Sequence, residues 1–425
     1  MAVTTTNYQC PACTGPLRYS PETGKTECEY CGSVYELAEI EALYRKEDAK
    51  AANTAAPQSD WGEAANGMKT YSCPSCTAEL ICDETTAATS CPYCGNPTVV
   101  PGQFHGMLKP DFVIPFRKEK EDAVAALKQH YHKRFFLPKS FKDENHIQEI
   151  QGVYVPFWLL DGEAGGSADF KATRSRSYVR GDYRITETAH YTVYRSGSME
   201  FEKIPVDAST KMPDGHMDSI EPYDYSELKP FSTAYLPGFL ADKYDVEAED
   251  SWVRAEERCA GSLRDALRDT VNGYDTVSET DNRIGVSHGQ ARYALLPVWM
   301  LSTKWQGQNF LFAMNGQSGK LVGDLPVDKK KYWLTFGIIG VLLSVLSGLL
   351  VLAYSSDPGV PLLIALGGSF LAALIVCSIL SAGMKNVRIG SEAHAYVSGD
   401  LCLTGRNDRY THTTTSRVKI SKPSK

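Results

Sequence analysis

Eight of the chain's 12 cysteines fall into one figure written twice. Cys10 and Cys13 form C-P-x-C, and after 14 intervening residues Cys28 and Cys31 form C-x-x-C-G. Cys73, Cys76, Cys91 and Cys94 repeat the figure, each 63 positions after its counterpart. Two residues between cysteines let both sulfurs of a tight turn face one ion, and a 14-residue excursion suffices for a hairpin that returns the second pair to close a tetrahedron. The intervening segments 14–27 and 77–90 each read as strand, polar turn, strand, with turns at Pro21–Gly24 and Asp83–Thr86. Gly32 and Gly95 directly follow the last cysteine of each set, where a knuckle needs positive φ. Disulfides would need an oxidising compartment and would not explain the doubling. The eight residues are therefore expected to hold two zinc ions, with iron in a rubredoxin-like site as the rival metal for an all-sulfur tetrahedron. Four thiolates per ion leave no open coordination position, so both sites read as structural. Hairpins this small have almost no core of their own, and metal binding would drive their folding.

A reducing compartment fits the opening MAVTTTNYQCPAC, which has neither a charged n-region nor an apolar h-region; the N-terminus is expected in the cytosol. Charge is distributed unevenly. Residues 1–104 hold 6 Lys/Arg against 13 Asp/Glu, and the tail 385–425 holds 8 against 3. Each zinc with four thiolates adds −2 to the ribbon segment, taking it to about −11. Phosphate binding needs clustered cations, so nucleic-acid binding by the ribbons is disfavoured. A short acidic helix followed by an Ala/Asn/Gly/Ser-rich stretch makes residues 36–69 an inter-domain linker.

Residues 332–356 and 358–384 carry no charge. Within them, 333–353 and 361–381 are each 21 nearly continuous apolar residues, about 31 Å of helix and so the thickness of a bilayer core. Lys329, Lys330 and Lys331 precede the first run and Lys385 and Arg388 follow the second, whereas the turn between them has no Lys or Arg. The positive-inside rule then expects a two-span protein of the plasma (inner) membrane with both termini cytoplasmic. Gly340, Ser344 and Gly348 give small-x-x-x-small spacings, which would let the hairpin or neighbouring subunits of an oligomer pack closely.

Between ribbons and hairpin, residues 105–331 read as one α+β, strand-rich region. A helix is expected at 119–136 with Val124, Leu127, Tyr131 and Phe135 on one face, and another at about 250–272 carrying Cys259, Leu263, Leu267 and Val271. Segments 167–175, 188–206 and 308–323 read as strands. VPFWLLD (155–161) and LPVWMLS (296–302) form a fainter internal repeat, each with a Pro and a Trp entering a strand. Gly316-Gln-Ser-Gly319-Lys320 lacks the interval of a phosphate loop and reads as a hairpin turn. His130 and His132 sit on different helix faces and make no zincin pair. No catalytic residue is assigned, and the expectation is a protein that is not an enzyme.

The expected fold class is thus multi-domain: zinc ribbon 1 (1–35), linker (36–69), zinc ribbon 2 (70–104), a central cytoplasmic α+β domain (105–331), a transmembrane hairpin (332–384) and a basic cytoplasmic tail (385–425). The tail either lies along anionic lipid or pairs as a strand through its YTHTTTSRVKI stretch. The paired ribbons, with ETTAATSCPYCGNP, GVYVPFWLLDG, RGDYRITETAHYTVYR, KIPVDASTKM, LLPVWML and LFAMNGQSGKLVG, resemble the zinc-ribbon membrane proteins of Gram-positive bacteria found alongside phage-shock and SPFH (flotillin-like) proteins. Such proteins are often labelled TFIIB-type zinc-ribbon or replication-restart helicase-like. The resemblance runs over most of residues 8–425, and all eight ligand positions are kept. It implies a membrane-anchored adaptor or scaffold that recruits SPFH or phage-shock partners during envelope stress, with no catalytic residues. The other reading is a membrane-tethered, replication-type nucleic-acid factor, although the chain has no Walker A Lys-Ser/Thr.

Overall fold

The computed structural model describes residues 10–13, 15, 17–28, 30–40, 42–43, 68–74, 76–83, 91–94, 100–102, 108–132, 134–354, 359–382, 384 and 393–420. The expected turn at Asp83–Thr86, Gly95, most of the linker, and Lys385 and Arg388 lie wholly or partly outside them. The chain divides into two compact units, each assembled from separate stretches. The first comprises Met1–Pro156, Ser209–Lys243 and Ala294–Ile389; the second comprises Phe157–Ala208, Tyr244–Tyr293 and Gly390–Lys425.

The first unit opens with strands β1 (Leu17–Ser20), β2 (Lys25–Cys28) and β3 (Val34–Tyr35), an antiparallel sheet in that order. Its turn falls at residues 21–24, where Gly24 takes φ +68° and donates its N–H to the Ser20 carbonyl at 2.9 Å. Leu17, Cys28 and Ile40 form its small core. Strands β4 (Met68–Ser72), β5 (Glu79–Asp83) and β6 (Val100–Gly102) pair antiparallel with β4 in the middle. They are followed by β7 (Phe112–Val113) and helix α1 (Lys120–His132). The helix buries Val124, Leu127, His130 and Tyr131 but stops four residues short of expectation. Phe135 is therefore 60% exposed, while Phe136 and Leu137 turn inward ahead of Pro138, whose ring disfavours a helical residue before it.

Two 30-residue strands carry the rest: β8 (Gln151–Arg180), returning through β9 (Tyr183–Asp207), and β12 (Thr276–Trp305), returning through β13 (Gln308–Asn315) into β14 (Leu321–Gly323). Between them lie helix α2 (Asp214–Ile220), β10 (Lys229–Pro230), β11 (Leu240–Asp242) and helix α3 (Ala248–Asp269). Helix α3 buries Cys259, Leu263 and Leu267 as expected, but ends at Asp269; Val271 is buried beyond its C-terminus. The Gly316–Lys320 segment is the expected turn, between β13 and β14, with the Asn315 N–H on the Lys320 carbonyl at 2.8 Å.

The faint repeat proves to be a duplicated unit with exchanged first strands. Each copy is a short strand, a helix, a long strand and its return strand. Short strand β11 pairs parallel with β8 (Leu240 with Val153), and β7 pairs parallel with β12 (Phe112 with Ala294). The loops after the short strands dock alike. Asp245 and Val246 donate to the Ala208 carbonyl at 2.9 and 3.2 Å, and Arg117 and Lys118 donate to the Gly316 carbonyl at 2.9 and 2.8 Å. Ala208 lies in the KIPVDAS block and Gly316 in the NGQSGK block, so these two sequence signatures are equivalent corners of one architecture.

Apolar helices α4 (Lys329–Tyr354) and α5 (Gly359–Ala382) are long enough, at about 39 and 36 Å, to cross a bilayer. Lys329–Lys331 belong to the first turn of α4 rather than to a preceding loop. Two of the expected small residues face the partner helix: the Cβ position of Gly340 lies 3.0 Å from the Phe370 ring and that of Gly348 lies 3.6 Å from Leu362. Ser347 and Ser369 hydroxyls bond across the pair at 2.9 Å. The base of the hairpin is tied to the first unit by the Leu325 N–H on the Met384 carbonyl (2.9 Å), the Asp328 N–H on the Phe136 carbonyl (2.9 Å) and Lys331 Nζ on the Leu137 carbonyl (3.0 Å).

In the second unit the strand order is β12-β8-β9-β15, where β15 (Cys402–Lys419) is the C-terminal tail. It runs antiparallel along β9 from Cys402 opposite Ser198 to Lys419 opposite Tyr183, so the YTHTTTSRVKI stretch is a paired strand.

Candidate metal centres

The first cysteine pair of each ribbon is presented by a knuckle closed by the same backbone bond. The Cys10 N–H donates to Gly15 at 2.8 Å, and its counterpart Cys73 donates to Ala78 at 2.9 Å. At the second pair of the first ribbon, Cys28 donates to Ser33 and Gly32 donates to Cys28, both at 2.9 Å, with Gly32 at φ +71°. The second ribbon contains a feature that sequence reasoning missed. Thr77, β-branched, holds φ +58°, pinned by its N–H on the Cys73 carbonyl (2.9 Å) and its hydroxyl on the Cys76 carbonyl (2.7 Å).

These turns bring all eight predicted ligands together in two groups. The sulfurs of Cys10, Cys13, Cys28 and Cys31 lie within 4.8 Å of one another, as do those of Cys73, Cys76, Cys91 and Cys94. Short edges are 3.5 Å (Cys10–Cys31), 3.4 Å (Cys13–Cys28) and 3.6 Å (Cys73–Cys94 and Cys76–Cys91). A tetrahedron with metal–sulfur bonds of about 2.3 Å has edges of roughly 3.8 Å, whereas a disulfide would bring two sulfurs to about 2 Å. None of the eight forms a disulfide, and the donor set and its size fit zinc. Each group can hold one zinc ion.

Without an ion the thiols do not ionise evenly. Burial pushes Cys76 up to about 11 and raises Cys91 further. In the first ribbon burial opposes ionisation of Cys10, but the Tyr35 hydroxyl and the amides of Ala12 and Cys13 pull it down to about 6. For Cys13 the Gly15 amide favours the thiolate, yet the thiols of Cys31 and Cys28 and burial outweigh it and push it up to about 12. A divalent ion binding here displaces these protons. Tyr35, whose hydroxyl lies 3.4 Å from Cys10 Sγ, and Ser33, whose hydroxyl lies 3.2 Å from Cys31 Sγ, support the ligands from outside. Only their closeness in sequence to Cys31 hinted at that role.

The two centres are set differently. The first rests on its own three-stranded sheet, with Cys13 and Cys31 exposed. The second is built into a larger sheet, because β5 pairs with β11 (Ile81 with Ala241, Leu80 with Asp242). Leu80, Cys82 and Cys91 there are essentially buried. Tyr93, inside the second knuckle, is buried too; desolvation and the Asp242 carboxylate raise its phenol well above the usual value.

The second unit has a cleft of about 500 Å³ lined by Asp161, Glu163, Glu200, Lys203, His288 and Arg292. Its polar groups engage one another. Asp161 Oδ1 accepts the Lys203 N–H at 2.8 Å, Arg292 lies 3.8 Å from Asp161, and His288 stacks on Trp252 with its Nε2 2.6 Å from Glu256.

No family model and no solved structure matches the chain. The chain is 37% identical to the uncharacterized protein YdjG of Bacillus subtilis (strain 168) over 335 residues, which is 79% of this chain and 94% of that protein. Two four-cysteine centres and two bilayer-length helices make it a protein suited to bind zinc at a membrane, and by that identity it belongs to the YdjG family.

Proposed function

We propose that the protein is a non-enzymatic, membrane-anchored zinc-ribbon adaptor. In this reading α4 and α5 hold it in the plasma membrane with both termini in the cytoplasm, and the ribbons recruit partners of SPFH (flotillin-like) or phage-shock type during envelope stress. The observation that carries the reading is the completeness of the two metal centres: four protein sulfurs within 4.8 Å at each leave an ion no open position for substrate or water. Metal here builds a surface rather than a reaction centre. Orientation is supported by Lys329–Lys331 at the start of α4 and by thiolate ligands that need a reducing side. The resemblance to zinc-ribbon proteins found with SPFH and phage-shock systems supports the partner class.

The test is affinity capture of the full-length protein from gently solubilised membranes beside a Cys28→Ser, Cys31→Ser variant, with the bound proteins identified by mass spectrometry. An SPFH or phage-shock protein recovered with the wild type and lost with the variant supports the adaptor. Recovery of nucleic acid with replication proteins, or of the same set from both, overturns it.

A further inference from the structure

Strands β8 and β9 run on past the buried part of the second unit and meet at a turn, Arg180-Gly181-Asp182-Tyr183, with Gly181 at φ +61°. Strand β15 ends beside them, the Ile420 N–H reaching the Asp182 carbonyl at 2.8 Å. The result is a three-stranded tip whose cross-strand rows the register fixes: Val179–Arg184–Val418, Arg180–Tyr183–Lys419 and Tyr178–Ile185–Arg417.

Two properties coincide there. Val179 and Val418 are 60% and 64% exposed, and Tyr178, Tyr183 and Ile420 are exposed as well. Side chains alternate along the strands, so Val179, Arg184 and Val418 share one face and Tyr178, Arg180, Tyr183, Arg417 and Lys419 the other. The described carboxylates here are Asp182 in the turn and Glu187 two rows in, which Arg176 engages at 2.7 Å and the Tyr178 hydroxyl at 2.9 Å. Among the described residues nothing covers Val179 and Val418, which flank Arg184 on one face, while Arg180, Arg417 and Lys419 line the other face of the same three-stranded tip; such a tip can dock end-on.

We propose that this tip docks on an anionic bilayer surface, with Val179, Val418 and Ile420 entering the headgroup boundary and the arginines and Lys419 pairing with lipid phosphates. Charge complementarity selects an anionic partner, and the aliphatic residues select lipid over nucleic acid. Nucleic acid would use flat stacking platforms; Tyr178 and Tyr183 offer rings, but Val179, Val418 and Ile420 add nothing to stacking. Interfacial tyrosines with clustered cations are what an anionic leaflet attracts. A bilayer is also the one macromolecular surface for which this chain carries its own anchor-length helices. The inference does not depend on the adaptor reading: a capture experiment that returns no partner leaves it standing.

Trypsin reads the tip directly, because Arg180 precedes Gly181 in the exposed turn. Full-length protein is held in phosphatidylcholine nanodiscs, and cleavage after Arg180 is timed alone, with added phosphatidylglycerol vesicles, and with a single-stranded oligonucleotide. A second preparation sits in phosphatidylglycerol-containing discs. Anionic lipid, in the protein's own disc or in added vesicles, is expected to slow cleavage about tenfold or more, and salt to reverse the effect. A Val179→Asn, Val418→Asn variant, which keeps every cleavage site, is expected to lose most of that protection. Cleavage unaffected by anionic lipid in both settings overturns the proposal. So does protection by the oligonucleotide alone, or lipid protection that is salt-insensitive and undiminished in the variant.

Discussion

Trp158 and Trp299 make one hydrogen bond twice. Trp158 Nε1 donates to the Val246 carbonyl at 2.9 Å, and Trp299 Nε1 donates to the Lys118 carbonyl at 2.9 Å. Each indole sits two residues after the proline of a long strand, and each accepting carbonyl lies in the loop between a short strand and its helix. In both cases strand and loop come from different copies of the duplicated unit, so the bond ties one copy to the other. Both tryptophans are buried. Trp158→Phe keeps most of the apolar volume but leaves the Val246 carbonyl without its donor, which costs about 1–3 kcal/mol. Trp299→Phe should cost the same. Thermal unfolding in detergent checks this, with Trp333→Phe, 61% exposed at the start of α4, expected within about 0.5 kcal/mol of wild type.

The metal centres should fail differently. Metal analysis is expected to give two zinc ions in the wild type and one in either Cys10→Ser, Cys13→Ser or Cys73→Ser, Cys76→Ser. Loss of the first centre undoes a sheet that holds no strand of the larger one, so the main thermal transition should stay where it was. Loss of the second frees β5, which pairs with β11 beside β8, and that transition should fall by several degrees. Both variants should remain in the membrane fraction, since neither touches α4 or α5. Equal shifts from the two variants would contradict the asymmetry.

What the sequence disclosed depended on how far apart the cooperating residues lie. The eight ligands were legible because metal chemistry fixes their spacing within each ribbon, and α4 and α5 because a bilayer demands length without charge. The VPFWLLD and LPVWMLS repeat was visible, but the exchange of short strands was not. β7 and β11 are two- and three-residue strands, too short for any periodicity, and their partners lie 182 and 87 positions away (Phe112 to Ala294, Val153 to Leu240). Helix α1 was read too long because Phe135 continues the Val124, Leu127 and Tyr131 spacing after the backbone has left the helix. The tail's pairing was one of two readings, since an all-exposed strand of Thr, Arg and His has no apolar alternation to betray it. What fixes it is a buried cation on another strand.

That cation is Arg195 on β9, fully buried, whose Nη1 lies 2.5 Å from Asp408 Oδ1 on β15. Thr270 Oγ1 and the Tyr194 carbonyl accept its other bonds, and the Tyr274 hydroxyl donates to Asp408 at 3.0 Å. Arg195 first, and then Tyr274, hold the Asp408 carboxyl below its ordinary value against burial. A depressed carboxylate stabilises the fold above the ordinary carboxylate range, and that contribution is lost as pH falls through the lowered value. Asp408→Asn strands the guanidinium without its anion, at a cost of about 2–3 kcal/mol, toward the low end for buried pairs because Asp408 is 27% exposed. Hydrogen exchange should then quicken along 402–419 before any other part of the second unit.

Acid should find a second weak point in α1. His130 is buried beside Phe312, and its Nε2 has no hydrogen-bond partner among the described residues. Desolvation, with a smaller push from the Arg134 cation, lowers it from 6.5 to about 4. His216, whose Nε2 faces the Leu311 carbonyl at 3.2 Å, is lowered as well, by burial first. The folded chain therefore resists a proton that the unfolded chain accepts. Stability is fully present above about pH 6.5, falls as pH drops from there toward 4, and levels off below. For His130 the loss from pH 7 to pH 4 is about 2 kcal/mol after allowing for solvent screening. The ribbons also lose metal in acid, because thiolates take up protons, so the wild-type curve alone mixes the two effects. His130→Leu separates them: it removes the titrating group and the unpartnered nitrogen at similar volume, while every zinc ligand remains. Its melting temperature should match or exceed the wild type at pH 7, and the gap should widen by several degrees at pH 5. A gap that stays constant with pH would exclude His130 from the acid limb and leave it to the metal centres, His216 and Asp408.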